Sequence, residues 1–177
     1  VMTMTAFVGL ATEVGAVTTE NTSGYVLDLT LDGVDISDTV YADDLDEFNA
    51  FLTDANHIFT YGDRTYVVTD CSISGFTPPT IEVTAVSAST LTINISGNGH
   101  VEIAGDNFES GDTYTAAVGA TPTISFFAGT NSYIEHIECT GITPPSDTSL
   151  TYWRTDYTMP KGSATLNVTF GTTYSIS

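Results

Sequence analysis

Residues 66–79 read YVVTDCSISGFTPP, and residues 133–145 read YIEHIECTGITPP. An acidic residue, a cysteine, a glycine, an apolar residue and Thr-Pro-Pro recur in the same order, with a slip of two residues before the glycine. A scaffold segment that occurs twice predicts two related β-rich units. No catalytic motif is repeated beside it, which favours a structural or binding protein.

Composition agrees with two folded units. The 177 residues suffice for two domains of roughly 80 to 90 residues each. Hydrophobic residues make up 41% of the chain and aromatic residues 11%. This composition excludes disorder along the whole chain. No apolar run approaches the length of a membrane span, so we expect no membrane insertion. The apolar stretch 5–17 lacks a basic flank, so we expect no signal peptide.

The charge is strongly one-sided. Only Arg64, Arg154 and Lys161 are basic against 22 acids, which gives a net charge of −19. Such a surface repels phosphate backbones and anionic lipids, and this excludes nucleic acid and membrane surfaces as expected partners. Cations, basic protein surfaces and neutral glycans remain. The acidity also fits a protein kept soluble by its charge, or adaptation to high salt.

The chain divides into four predicted segments. Residues 1–20 read as an extended N-terminal arm, with Phe7, Val8 and Leu10 as its assembly residues. Residues 21–86 form a β-rich domain with one helix, in the order ββαβββ. Residues 87–90 read as a polar linker. Residues 91–177 form an all-β domain, a small sandwich or curled sheet. The predicted fold class is therefore mainly β.

Two elements of the first domain have clear signals. Tyr25, Leu27, Leu29 and Leu31 alternate along one strand, and Asp32-Gly33 predicts a two-residue hairpin turn after it. Between residues 43 and 56 the period changes to that of a helix, with an apolar face formed by Leu45, Phe48, Leu52 and Ala55.

The second domain resembles a known bacterial module. Leu91-Thr-Ile, the glycine-bounded turn 97–99, the aromatic strand that starts at Tyr133, and the closing strand 164–170 that ends on Phe170 resemble a divergent internalin B-type repeat. Many members place a tryptophan just after the aromatic strand, where this chain has Cys139. The resemblance implies an extracellular or virion-borne β module that spaces, decorates or adheres, and it implies no catalytic residues.

The cysteines and histidines indicate no active site. Cys71 and Cys139 stand at equivalent points of the repeat, so we expect two free thiols in separate cores rather than a disulfide. His136 and Cys139 point to opposite faces of a strand, which spoils them as ligands of one zinc ion. His57 and His100 are expected to be exposed or to cap an element.

Two weaker sites are predicted. Asp106, Glu109 and Asp112 cluster with Asn107 in a glycine-bounded loop, which predicts a possible structural calcium site, with a solvated acidic loop as the alternative. Tyr152, Arg154 and Tyr157 form a possible surface-binding patch for protein or glycan, while Trp153 is expected to pack in the core.

These features predict a non-enzymatic structural or attachment protein. Our leading interpretation is a phage virion component, namely a capsid decoration, head-fibre or tail protein, which binds capsid or filament subunits and forms a homo-oligomer. The first alternative is a processed bacterial or archaeal cell-surface adhesin or filament subunit. The second is a carbohydrate-binding module. The expected location is the virion, or alternatively the extracellular space or the cell surface.

Overall fold

The computed structural model describes residues 14–173. The protein is mainly β, with 57% strand and a single short helix within that range, which confirms the predicted fold class. The described residues divide into two compact units, unit 1 up to Ala88 and unit 2 from Ser89. The predicted arm residues Phe7, Val8 and Leu10 lie outside the described residues.

Unit 1 is a closed, barrel-like sheet. Its elements are β1 (Gly15–Thr18), β2 (Val26–Leu31), β3 (Val34–Asp35), β4 (Val40–Ala42), α1 (Leu45–Thr53), β5 (Ile58–Tyr61), β6 (Arg64–Phe76) and the first part of β7 (Pro79–Ser96). Neighbouring strands follow the order β7-β6-β5-β1-β4-β2, and β2 pairs again with β7, in parallel. This second pairing of β7 closes the ring around an apolar core.

The hairpin of β2 and β3 confirms its turn signal. Asp32 and Gly33 both have positive φ, 51° and 79°, as a two-residue turn of this kind requires. Leu27, Leu29 and Leu31 are buried on one face of β2, as the alternation predicts. The Asp32 carboxylate also accepts hydrogen bonds from the Ser87 backbone and hydroxyl at 2.7 and 2.6 Å, which tie the turn to β7.

Helix α1 forms where it was predicted, but with a different apolar face. Asp44 caps it by accepting a hydrogen bond from the Glu47 backbone N–H at 2.9 Å. Phe48 and Phe51 are its buried side chains, whereas Leu45 is 49% exposed. The prediction for Leu45 was wrong because Leu45 is the first helical residue, beside the cap, where the side chain reaches solvent.

Unit 2 is built from two four-stranded sheets. One contains the second part of β7, β10 (Thr113–Ala117), β12 (Ser132–Glu138) and β14 (Ser163–Thr172). The other has the order β13-β11-β8-β9, formed by Tyr152–Asp156, Thr123–Ala128, Gly99–Ile103 and Asp106–Phe108. Apolar side chains of both sheets share one buried core, which is the arrangement of a sandwich. Residues 87–90, for which the sequence predicts a linker, are strand residues of β7.

The repeated sequence does not form a repeated structure. Residues 66–76 lie in β6, and Thr-Pro-Pro at 77–79 turns the chain directly into β7. In the second copy the strand ends at Glu138, and the chain turns after Cys139, where Gly141 has a φ of 92°. Gly75 in the first copy instead stays in the ladder opposite Thr80.

Candidate interaction surfaces

His57 and Glu47 form a contact that the sequence did not predict. Nε2 of His57 lies 2.8 Å from Oε1 of Glu47, and the histidine is only 8% exposed, so the expectation of an exposed or capping residue was wrong. The ring of Phe51 packs edge-on against the imidazole at 4.7 Å. Since Gly15 of β1 also lies against both polar groups, the pair is enclosed by packing rather than presented to a ligand.

The predicted calcium ligands are not brought together. Asp112 accepts a hydrogen bond from the Glu109 backbone N–H at 2.7 Å, so its carboxylate stabilises the turn between β9 and β10. Asp106 lies in β9 opposite Ile103. Within residues 14–173 no group of three His, Cys, Asp or Glu side chains is arranged to hold a metal ion. Asp106, Glu109 and Asp112 therefore do not form such a group, and calcium binding at this loop stays a prediction.

Both cysteines are free, and each packs against a different core. Cys139 is buried in unit 2, and Cys71 is half-buried in unit 1, where its thiol donates to the Phe51 carbonyl oxygen at 2.9 Å. Burial raises the pKa of both thiols; beside Cys71 the carboxylate of Asp70 adds to the effect. Neither thiol has the electropositive setting that activates a cysteine.

The predicted patch around Arg154 loses one member. Tyr152 and Arg154 are exposed on the same face of β13, as alternation predicts, but Tyr157 is only 1% exposed and belongs to the core of unit 2. Tyr157 has the same parity as Trp153 and Thr155, which face inward, and burial keeps alternating past the end of β13, so alternation places Tyr157 on the face opposite Tyr152 and Arg154. Trp153 is half-buried and stacks on Phe126 at 5.4 Å, in agreement with its expected packing role.

The tip hairpin, residues 72–80, carries the most exposed aromatic side chain among the described residues. Phe76 is 81% exposed and Ile73 is 51% exposed. Past Val67, β6 pairs with β7 but no longer with β5, and no described strand lies along its outer edge at residues 70–76. An open strand edge with apolar side chains is a typical docking surface.

A bulge places both apolar side chains of the tip hairpin on one face. Ile73 is opposite Ile81, and Phe76 is opposite Pro79, with the register shifted by one residue between Ile73 and Gly75. Ile81 and Pro79 are two residues apart and therefore share a face of β7. Ile73 and Phe76 therefore lie on the same face of the hairpin as Ile81. Ile81 is buried, whereas Ile73 and Phe76, nearer the tip, are exposed to solvent.

Unit 2 carries a second exposed group of aromatic side chains. We call His100, Phe127 and Tyr152 the aromatic row, because they are direct neighbours across β8, β11 and β13. Of the three, only Tyr152 was predicted as a binding residue; His100 was expected to be exposed or to cap an element. The three residues become neighbours only through the register of their strands, which aligns residues far apart in the chain. Nothing in the local sequence around any of them indicates that register.

Unit 1 also has a shallow depression of about 350 Å³, lined by Thr19, Asn21, Asp38, Thr39 and Tyr41. Asp38 is its only titratable carboxylate, and it accepts a hydrogen bond from the Tyr61 hydroxyl at 3.3 Å. The depression contains hydroxyl and amide groups without an accompanying histidine or cysteine, so its lining suits solvent better than acid-base chemistry.

No family model, curated protein or solved structure matches this chain. The resemblance of residues 91–171 to internalin B-type repeats stays a prediction. The single helix in residues 14–173, α1, lacks the length and apolar character needed to cross a bilayer.

Proposed function

We propose that this is a non-enzymatic structural protein that works by assembly contacts, and that it docks through the tip hairpin of unit 1. The specific assembly that we propose is a phage virion, in which the protein serves as a capsid decoration, head-fibre or tail component. The observation that carries the proposal is the exposure of Phe76 and Ile73 on one face of an open strand edge.

The energetic argument concerns the apolar area at the tip. Single exposed apolar side chains are common on protein surfaces and need no explanation. Here two large apolar side chains, Ile73 and Phe76, are exposed on the same face of the hairpin as Pro79, and they share that face only because of the bulge. Covering such side chains with a partner removes apolar surface from water at about 25 cal/mol per Å². The open edge adds backbone hydrogen bonds, which fix the orientation of the partner.

The charge of the chain fits docking to a protein surface. The net charge of −19 disfavours self-association through charged faces, so contact has to rely on an apolar surface or on a basic partner. Near the tip, Ser72, Ser74 and Thr77 are exposed and uncharged. The docking surface is therefore locally neutral within a strongly acidic chain, and this lowers the electrostatic cost of burying it.

The test replaces the tip side chains and keeps a matched control. Phe76→Ser and Ile73→Ser should abolish assembly, measured by light scattering and by binding to purified particles. Val34→Ser is the control, because Val34 is 63% exposed on the β2–β3 hairpin of unit 1, and this variant should assemble normally. Assembly that survives Phe76→Ser combined with Ile73→Ser would contradict the docking surface. Mass spectrometry and electron microscopy of purified virions test the virion itself.

A further inference from the structure

The aromatic row is a set of three rings fixed by strand register. Phe127 of β11 is directly opposite His100 of β8 on one side and Tyr152 of β13 on the other. The rings of His100 and Phe127 are parallel within 6° and 4.8 Å apart. Tyr152 is inclined by 44° to Phe127 at 4.9 Å. The row therefore stands across three neighbouring strands of one sheet.

The row faces solvent. Phe126, the residue before Phe127, points into the core with 0% exposure, so Phe127 points to the outer face of the sheet. Tyr152 is 46% exposed, and the side chain of His100 is 49% exposed. Phe127 in the middle is half-buried by its two neighbours. One face of the Tyr152 ring thus rests against Phe127, while the other side remains open for a ligand.

A polar row lies beside the aromatic one. Ser125 is opposite both Glu102 and Arg154, two residues along the same three strands and on the same outer face. Glu102 has a side-chain exposure of 30%, and Arg154 is exposed. A carboxylate acceptor, a hydroxyl and a guanidinium donor therefore stand in line next to three rings.

We propose that this face of unit 2 binds a neutral glycan, with a pyranose ring stacked on Tyr152 and its hydroxyl groups bonded to Glu102, Ser125 and Arg154. The C–H face of a sugar ring is apolar and packs on an aromatic ring, while its hydroxyl groups both donate and accept hydrogen bonds. The aromatic row supplies the apolar surface, and the neighbouring polar row supplies both hydrogen-bond donors and acceptors, so together they match both parts of a sugar ring.

Charge selects this ligand over charged ones. Arg154 opposes a basic peptide at the polar row, and the net charge of −19 repels an acidic ligand during its approach. Glu102 and Arg154 carry opposite charges on the two sides of the neutral Ser125, so the polar row itself has no net charge. Phe127 holds the Tyr152 ring from behind, and this reduces the entropy that is lost when a ligand orders it.

The experiment uses the full chain and named glycans. Binding is measured on a printed array of neutral glycans and by retention on cellulose, chitin, xylan and mannan. We expect at least one neutral glycan to bind, Tyr152→Ala to weaken that binding about tenfold, and Tyr152→Phe to retain it. Arg154→Ala should also weaken it. Both altered side chains are exposed, so thermal unfolding should be close to that of the unaltered protein.

A reciprocal control separates this site from the tip hairpin. Phe76→Ser should keep glycan binding, whereas Tyr152→Ala should keep assembly, so either proposal can fail without the other. The glycan proposal is wrong if nothing on the array or the four polysaccharides is bound, or if Tyr152→Ala and Arg154→Ala leave the binding unchanged. It is equally wrong if only acidic glycans or basic peptides compete for the row.

Discussion

Glu47 Oε1 and His57 Nε2 lie 2.8 Å apart and together occupy the space where a side chain at Gly15 would begin. A Cβ atom at Gly15 would be 2.6 Å from Nε2 of His57 and would overlap the Glu47 carboxylate. We expect Gly15→Ala to lower the free energy of unfolding by about 1–3 kcal/mol, because the pair has to move apart. Urea denaturation measures this.

Gly75→Ala is the matched control for that substitution. Its Cβ would meet its neighbours at 3.4 Å or more, in ordinary contact, and its backbone is extended. It should change stability much less than Gly15→Ala. Equal effects of the two substitutions would mean that backbone entropy, rather than the Glu47 and His57 contact, decides the result.

Tyr157→Phe should stabilise the protein by about 1 kcal/mol. The Tyr157 hydroxyl is buried, and it lies beside the Cys139 thiol, which is only a weak hydrogen-bond partner, so burying the hydroxyl is costly. The nearby Cys139 thiol donates instead to the Thr140 carbonyl oxygen, at 3.7 Å. Thermal unfolding checks the sign. A lower melting temperature in the variant would show that the hydroxyl has a strong partner after all.

Stability should fall in alkaline solution. Burial raises the pKa of Cys71 and Cys139 above 9.0, and burial together with the neighbouring Cys139 raises the pKa of Tyr157 above 10.0. The folded protein then keeps protons that the unfolded chain releases. The resulting stability is complete below the pKa of the unfolded thiols and is lost as pH rises past it. Urea denaturation over a pH series measures the loss.

The same raised pKa values predict slow thiol chemistry. At a given pH fewer molecules carry a thiolate at Cys71 or Cys139 than at an ordinary thiol, and both side chains are at least half-buried. A maleimide reagent should label native protein slowly and urea-unfolded protein quickly. Labelling of Cys139 at the rate of a free peptide thiol would contradict its place in the core.

Asp112→Ala should cost about 1 kcal/mol of stability, because it removes the acceptor of the Glu109 backbone N–H. Added calcium should leave the melting temperature of the unaltered protein unchanged, because Asp112 is engaged in the turn and the three acids do not converge. A calcium-dependent rise that disappears in Asp112→Ala would restore the metal site.

Local signals in the sequence predicted local structure well. The Asp32-Gly33 turn and the alternation of Leu27, Leu29 and Leu31 were sufficient for the hairpin, because turn type and strand period depend on neighbouring residues. The helical spacing likewise located α1. The spacing alone did not predict which side chains of α1 are buried. Leu45 is the first residue after the cap Asp44 and is exposed, and the buried side chains are Phe48 and Phe51.

The candidate surfaces depend on relations that a single sequence does not display. His100, Phe127 and Tyr152 become neighbours only through the register of three strands. Ile73 and Phe76, three residues apart, share a face only because a bulge shifts the ladder between them. The duplicated Thr-Pro-Pro segment suggested equivalence, yet Gly75 and Gly141 adopt different backbone conformations and lead to different structures.

Strand β7 is uninterrupted, and along it the buried side chains can be recognised by whether the residue number is odd or even. Its buried side chains are all odd-numbered, from Ile81, Val83 and Ala85 in unit 1 to Ser89, Leu91 and Ile93 in unit 2. Inserting one residue between Ile81 and Val83 would put these two side chains on opposite faces of the strand, so that only one of them could stay in the core of unit 1, whereas inserting two would restore the alternation. Within the core-facing stretch of either unit, this strand can therefore be lengthened only in steps of two, unless a bulge takes up the single extra residue.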